Sequence, residues 1–285
     1  MVMPLNGFDY CPISDSNNVI ADAPNHPGIR MVTIKPTVKL SPQEYAEGSW
    51  QQPTTENAPK FSAAAYHYAL TLQRTLQIPI GVITCAWGGS RVEGWLPKEI
   101  LQTYKDEDLT LIGSDKTPVY LQSMLMYNGI LYPCHKYTIK GFIWYQGESN
   151  VRSSRTYAER LATMVKHWRS IWEQGDLPFY YVQLSSIDRP SWTWFRDSQR
   201  RLAQTVSNTG MAVSSDRGDS LNVHPTRKKE IGERLAHWAL NKTYGHNVIP
   251  SGPLFRNATF TDNAAYITFC LLYTSPSPRD GLLSR

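Results

Sequence analysis

His224 closes the polar run Gly218-Asp219-Ser220-Leu221-Asn222-Val223 and stands directly before Pro225. A loop histidine is suited to take a proton from a serine hydroxyl, because imidazole titrates closest to neutrality of the ordinary side chains. Asp219 is the natural carboxylate to hold the imidazole tautomer and to stabilise the imidazolium; Asp216 competes for that role. Gly88 and Gly89 follow the apolar run 80–86, where a turn free of side chains can point backbone N–H groups at a developing oxyanion. The same pair could cradle a phosphate, but neither a G-x-G-x-x-G nor a G-K-[ST] pattern accompanies it. Gln146 and Glu148 flank Gly147 after a second apolar run, with Asn150 close behind. The Gln146 amide could be another oxyanion donor. Glu148 could be a base, or the partner of a buried arginine such as Arg91. Together with Asp219 it would also make a carboxylate pair for glycoside cleavage. Ser90 and Ser149 adjoin these turns, yet neither lies in a G-x-S-x-G elbow, so both are weak candidates for a nucleophile. The stretch Trp192-Thr-Trp194-Phe195-Arg196 could form a sugar-binding wall through Trp192 and Arg196, or it could pack the start of a helix.

These residues fall at the ends of apolar runs that read as buried strands: 29–34, 80–86, 139–145, 179–184 and 210–215. Between them, periodicity predicts helices over 59–77, 119–131, 155–173, 194–207 and 225–240, with Pro225 opening the last. The 155–173 segment is the clearest, placing Tyr157, Leu161, Val165, Trp168 and Trp172 on one face. Strands that are apolar throughout and alternate with helices indicate a parallel sheet covered on both faces, an α/β protein built as a three-layer α/β/α sandwich. Ligand-handling loops in such sheets gather beyond the carboxyl ends of the strands, where all the candidates above would meet. From residue 249 the rhythm changes to two strands without a helix, so residues 1–248 read as the main domain and 249–269 as the start of an incomplete β domain. Residues 270–285 lack periodicity and read as a non-native tail.

Composition narrows the function. The chain has 285 residues, a net charge of +5 and no run of five Lys or Arg, which argues against a nucleic-acid partner. No stretch of about 18 apolar residues predicts a membrane span. The four cysteines, Cys11, Cys85, Cys134 and Cys270, form no C-x-x-C pair, which excludes a zinc ribbon or a redox motif; no metal or organic cofactor is expected. Cys85 reads as a small core residue, and a disulfide between Cys11 and Cys134 stays open.

The blocks TCAWGGSRVEGW, YNGILYP, IKGFIWYQGESN and GDSLNVHPTRKKEIGERLA resemble those of the sialate O-acetylesterase family, within the SGNH hydrolases. The resemblance runs from Met1 to about Phe269. It implies a serine esterase that removes acetyl groups from sugar hydroxyls, with an acetylated sugar or glycan as partner. Alternatives are a xylan or polysaccharide acetylesterase, or a non-catalytic carbohydrate-binding relative. Residue by residue, it implies His224 as base, Asp219 as its partner, Gly88, Gly89 and Gln146 in the oxyanion hole, and Glu148, Asn150 and Arg91 in support. It also implies export of the full-length protein. In the family pattern the nucleophile lies in a Gly-Gln-Ser-Asn block directly before Met-x-Met-Pro-Leu. This chain begins Met1-Val2-Met3-Pro4-Leu5, so the serine would fall two positions before residue 1. The expectation is therefore a fragment without its first strand and nucleophile, inactive as it stands.

Overall fold

The computed structural model describes residues 2–270. Apart from Cys270, the tail set apart above lies outside the described residues.

Five short strands run parallel in two ladders. β1 (Ile29–Thr33) pairs with β2 (Ile80–Thr84), Ile29 opposite Ile80 and Thr33 opposite Thr84. β3 (Phe142–Trp144), β4 (Phe179–Val182) and β5 (Thr209–Ala212) form the second ladder in that order. The helices are α1 (Ser16–Asp22), α2 (Ala63–Leu76), α3 (Lys98–Leu101), α4 (Ser154–Trp172), α5 (Trp192–Thr205) and α6 (Lys228–Trp238).

β4 shows why these strands are apolar throughout. Phe179 and Tyr181 enter a core with Tyr157, Trp168 and Phe195 from α4 and α5. Their neighbours Tyr180 and Val182 enter a second core with Tyr66 and Leu72 from α2 and Ile231 and Leu235 from α6. A strand whose successive side chains point to opposite faces must be apolar at every position when helices cover both faces. The result is the expected three layers: α2 and α6, the parallel strands, then α4 and α5. The predicted stripe of α4 is buried at all five of its positions. Gly232 lets α6 lie close to α2, since a Cβ there would meet the Ala64 carbonyl oxygen at 2.6 Å.

Three sequence-based expectations change. The helix over 119–131 is replaced by a short turn at Val119–Leu121, a residue with positive φ at Met124, a wide π-helical turn at Tyr127–Leu131 and a tight 3₁₀ turn at Tyr132–Cys134. The reason is that Gln122 to Leu131 are buried on all sides, and the Gln122 side chain is drawn into the 113–117 loop, bonding Gly113 N–H and the Ser114 and Thr117 carbonyls. The last helix opens at Lys228 rather than at Pro225, because His224 to Arg227 stay in the loop. No disulfide joins Cys11 to Cys134: all four cysteines are free, and the thiol near Cys134 is that of Cys85, 3.9 Å away.

Beyond the layers, β6 (Leu254–Thr261) and β7 (Ala264–Cys270) form an antiparallel hairpin that is exposed along nearly its whole length. The two expected strands are thus present.

Candidate active site

The ends of β2 and β3 and the loop before α6 border one cavity of about 510 Å³. Gly88, Gly89, Gln146, Glu148 and His224 line it together with Cys85, whereas the candidates Asp216, Asp219, Trp192 and Arg196 do not.

His224 is held by its main chain and its ring neighbours. Its N–H donates to Asn222 Oδ1 at 2.9 Å, and its carbonyl accepts from the Cys11 thiol at 3.3 Å. Phe8 and Tyr10 meet the imidazole edge-on at 5.5 and 6.0 Å between centroids. Among the described residues no hydrogen bond reaches the imidazole nitrogens. Burial lowers the His224 pKa from its ordinary value; the Glu148 charge opposes that shift and Lys228 adds to it. The ring is therefore neutral and able to accept a proton at neutral pH.

Asp219 is not brought to the imidazole. Its carboxylate is exposed and accepts from Leu221 N–H and Asn222 N–H at 2.7 and 3.0 Å, the local closure that short acidic side chains favour in turns. Asp216 is also committed elsewhere: it pairs with both Arg234 nitrogens at 2.6 and 2.7 Å, which lowers its pKa to about 2. Glu148 is the carboxylate whose charge acts on His224.

The double-glycine turn is open. Gly89 has φ +77°, and a Cβ there would meet the Tyr120 ring at 2.9 Å, so only glycine fits without strain. A Cβ at Gly88 would meet nothing within 4 Å. Among the described residues nothing takes up the N–H of Gly88 or Gly89, leaving both able to donate to an oxyanion. Gln146 differs from its expected role. Its Nε2 donates to the Ser90 carbonyl at 2.9 Å and to Asn150 Oδ1 at 2.8 Å, and its Oε1 accepts from Tyr157. Both amide hydrogens are engaged, so Gln146 ties the β2 and β3 turns together.

Asn150 extends that tie, accepting from Val92 N–H and donating to Glu93. Glu93 is fully buried against Arg160. Arg91 pairs with Glu107 and Glu93 rather than with Glu148. Ser90 accepts from Trp95 Nε1, and Ser149 donates to the Gly89 carbonyl, so neither hydroxyl serves His224. Trp192 and Arg196 lie away from the cavity. Trp192 is 3% exposed and bonds the Ser185 carbonyl, while Arg196 bonds Gln183, because the α5 stripe turns them inward.

Lys228 was not singled out from sequence, where Lys228-Lys229 was only the densest basic spot. It is 1% exposed, and its Nζ lies 4.8 Å from the centre of the Tyr145 ring. Burial lowers its pKa to about 7, against the pull of Glu148.

Residues 43–241 match the family model described as carbohydrate esterase, sialic acid-specific acetylesterase. The chain belongs to this family. Sialate O-acetylesterases of Homo sapiens and Mus musculus are 26% and 25% identical over 85% of the chain. The chain spans about half the length of these curated relatives, 52% and 55% respectively. The structure of a carbohydrate acetylesterase from Xanthomonas citri superposes with a TM-score of 0.79 at 31% identity, covering 90% of this chain and 58% of that one. An Arabidopsis thaliana protein of 18% identity shares the fold, with a TM-score of 0.50 over 76% of this chain and 82% of its own. Among the described residues no helix of this family member is long and apolar enough to cross a membrane.

Proposed function

We propose that this chain carries the base and oxyanion donors of a carbohydrate O-acetylesterase acting on acetylated sugars, sialate esters first among them. The observation that carries the reading is the shared cavity of His224 and the open Gly88–Gly89 turn. A serine hydroxyl beside His224 would attack the acetyl carbonyl while the imidazole takes its proton. The oxyanion formed would accept from the glycine N–H groups, and the imidazolium would return the proton to the departing sugar oxygen. Water would then release acetate by the same steps. Among the described residues no serine hydroxyl bonds His224, and in this reading the nucleophile is the serine of a Gly-Gln-Ser-Asn block.

The test is to extend the chain at its amino end with a strand ending in Gly-Gln-Ser-Asn and to measure acetate release from O-acetylated sialic acid and acetylated xylan. Turnover that disappears in the serine-to-alanine form and in His224→Ala supports the reading, and preference for the first substrate supports sialate specificity. Release of reducing sugar without acetate would refute it.

A further inference from the structure

Cys85 and Cys134 are 49 positions apart in sequence, yet their sulfurs stand 3.9 Å from each other. Cys85 directly follows β2, and Cys134 ends the 3₁₀ turn Tyr132–Cys134. Both thiols also converge on one acceptor, the buried Ile130 carbonyl, at 3.6 Å from Cys85 and 3.5 Å from Cys134. Ile130 and Cys134 belong to the core around Tyr127 and Leu131, and Cys85 packs against it, so packing holds the two sulfurs in register. The other two cysteines lie elsewhere: the Cys11 thiol donates to the His224 carbonyl and that of Cys270 to the Leu254 carbonyl.

A disulfide needs its sulfurs about 2 Å apart. Closing the gap asks for about 1 Å of travel from each sulfur, within a partial χ1 swing of each side chain. The hydrogen bond between the sulfurs also divides their acidity. It holds the Cys134 pKa below the ordinary thiol value and raises that of Cys85, which burial raises further. Thiolate character therefore rests on Cys134, and the thiolate is the form that attacks a disulfide.

We propose that Cys85 and Cys134 are a redox modification site, which small organic disulfides convert to a reversible cross-link between the end of β2 and the turn at Cys134. The Cys134 thiolate attacks one sulfur of the reagent, breaking its S–S bond and expelling one thiolate. Cys85 then gives up its proton and attacks the Cys134 sulfur of the mixed disulfide, expelling the second. Two electrons pass from the protein thiols to the reagent, and their two protons end on the two small thiols released. The cost is modest, since the Ile130 carbonyl loses only weak S–H donors. The loop closed in this way contains Gly88, Gly89, Arg91 and Glu93, so the double-glycine turn and the network beside it are constrained together. The inference rests on the sulfur geometry and stands apart from the proposed esterase reading.

The chain carrying Cys270→Ser, which removes the exposed thiol, is treated with 2-hydroxyethyl disulfide without denaturant. The product is expected to be about 2 Da lighter than the reduced chain, to yield a cross-linked Cys85–Cys134 peptide on digestion, and to return to its starting mass with dithiothreitol. Its urea midpoint should lie at least about 0.5 M above that of the reduced chain, because a long closed loop restricts the unfolded state. Adding Cys85→Ala should leave Cys134 as a mixed disulfide with no such rise. A link from Cys11 to either residue overturns the proposal. So does a reaction that stops at a mixed disulfide while both cysteines are present, or a link that forms only in urea-unfolded chain. A midpoint unchanged or lowered by the link overturns it as well, since the cross-link would then not fit the native fold.

Discussion

Gln146 Nε2 stands 2.8 Å from Asn150 Oδ1, and through that contact the turn after β3 is locked to the turn after β2. Asn150 bonds Gln146, Val92 N–H and Glu93 at once, while 1% exposed. Asn150→Leu therefore strands three buried polar groups. Each costs about 1–3 kcal/mol, tempered by local rearrangement, so a loss of about 3 kcal/mol is expected in urea unfolding. A loss below about 1 kcal/mol would show that the network does not hold the turns.

The same network ends in a buried charge pair. Arg160 Nη1 lies 2.6 Å from Glu93 Oε1, with the two side chains 4% and 0% exposed. Removing one partner leaves the other charged and without its main compensation, which costs about 3–5 kcal/mol, more than the pair itself contributes. Arg160→Met is expected to fall in that range. Arg160→Met with Glu93→Gln should recover at least about 1 kcal/mol, because the neutral amide no longer needs a cation and keeps a contact for Asn150. Equilibrium unfolding of both variants decides this; a double variant no more stable than the single one would refute it.

The layers were legible because strand and helix periods are local: the α4 stripe and the apolar runs around Ile83, Ile143 and Tyr180 each report their own burial. The double-glycine turn was legible for the same reason, since φ +77° at Gly89 is a demand on one residue. What was not legible depends on partners distant in sequence. Asn150 meets Val92 and Gln146 meets Ser90 only once two strand ends converge, so the amide expected to donate to substrate is consumed by structure. Asp219 was read as the partner of His224 from nearness in sequence, but a short acidic side chain in a loop satisfies its own turn first. Lys228 sat in a basic doublet that sequence reads as solvated, and only the fold shows which of the two lysines turns inward.

Lys228 gives the stability a pH slope. Its pKa is about 7 when folded and about 10.4 in an unfolded chain. Between those values the unfolded chain binds more protons, so stability rises with pH across this window and is lower below pH 7. The slope approaches about 1.4 kcal/mol per pH unit near the middle of the window. Lys228→Met removes this dependence. Urea unfolding of both proteins from pH 7 to 10 measures it, and parallel curves would refute the assignment.

His224 offers a sharper electrostatic test. Burial and Lys228 push its pKa down, while the Glu148 charge pushes it up. Neutralising the carboxylate in Glu148→Gln must lower the His224 pKa further, and removing the cation in Lys228→Met must raise it. Because proton acceptance needs the neutral imidazole, the acid limb of any activity follows the same directions, moving to lower pH in the first variant and higher in the second. Titrating the His224 ring protons by NMR in the chain as it stands checks the signs without requiring turnover. The other variant guards against indirect effects, since a general loosening of the loop would expose the ring and move both pKa values upward toward the ordinary 6.5. An upward shift in Glu148→Gln would therefore remove Glu148 as the carboxylate that acts on the base.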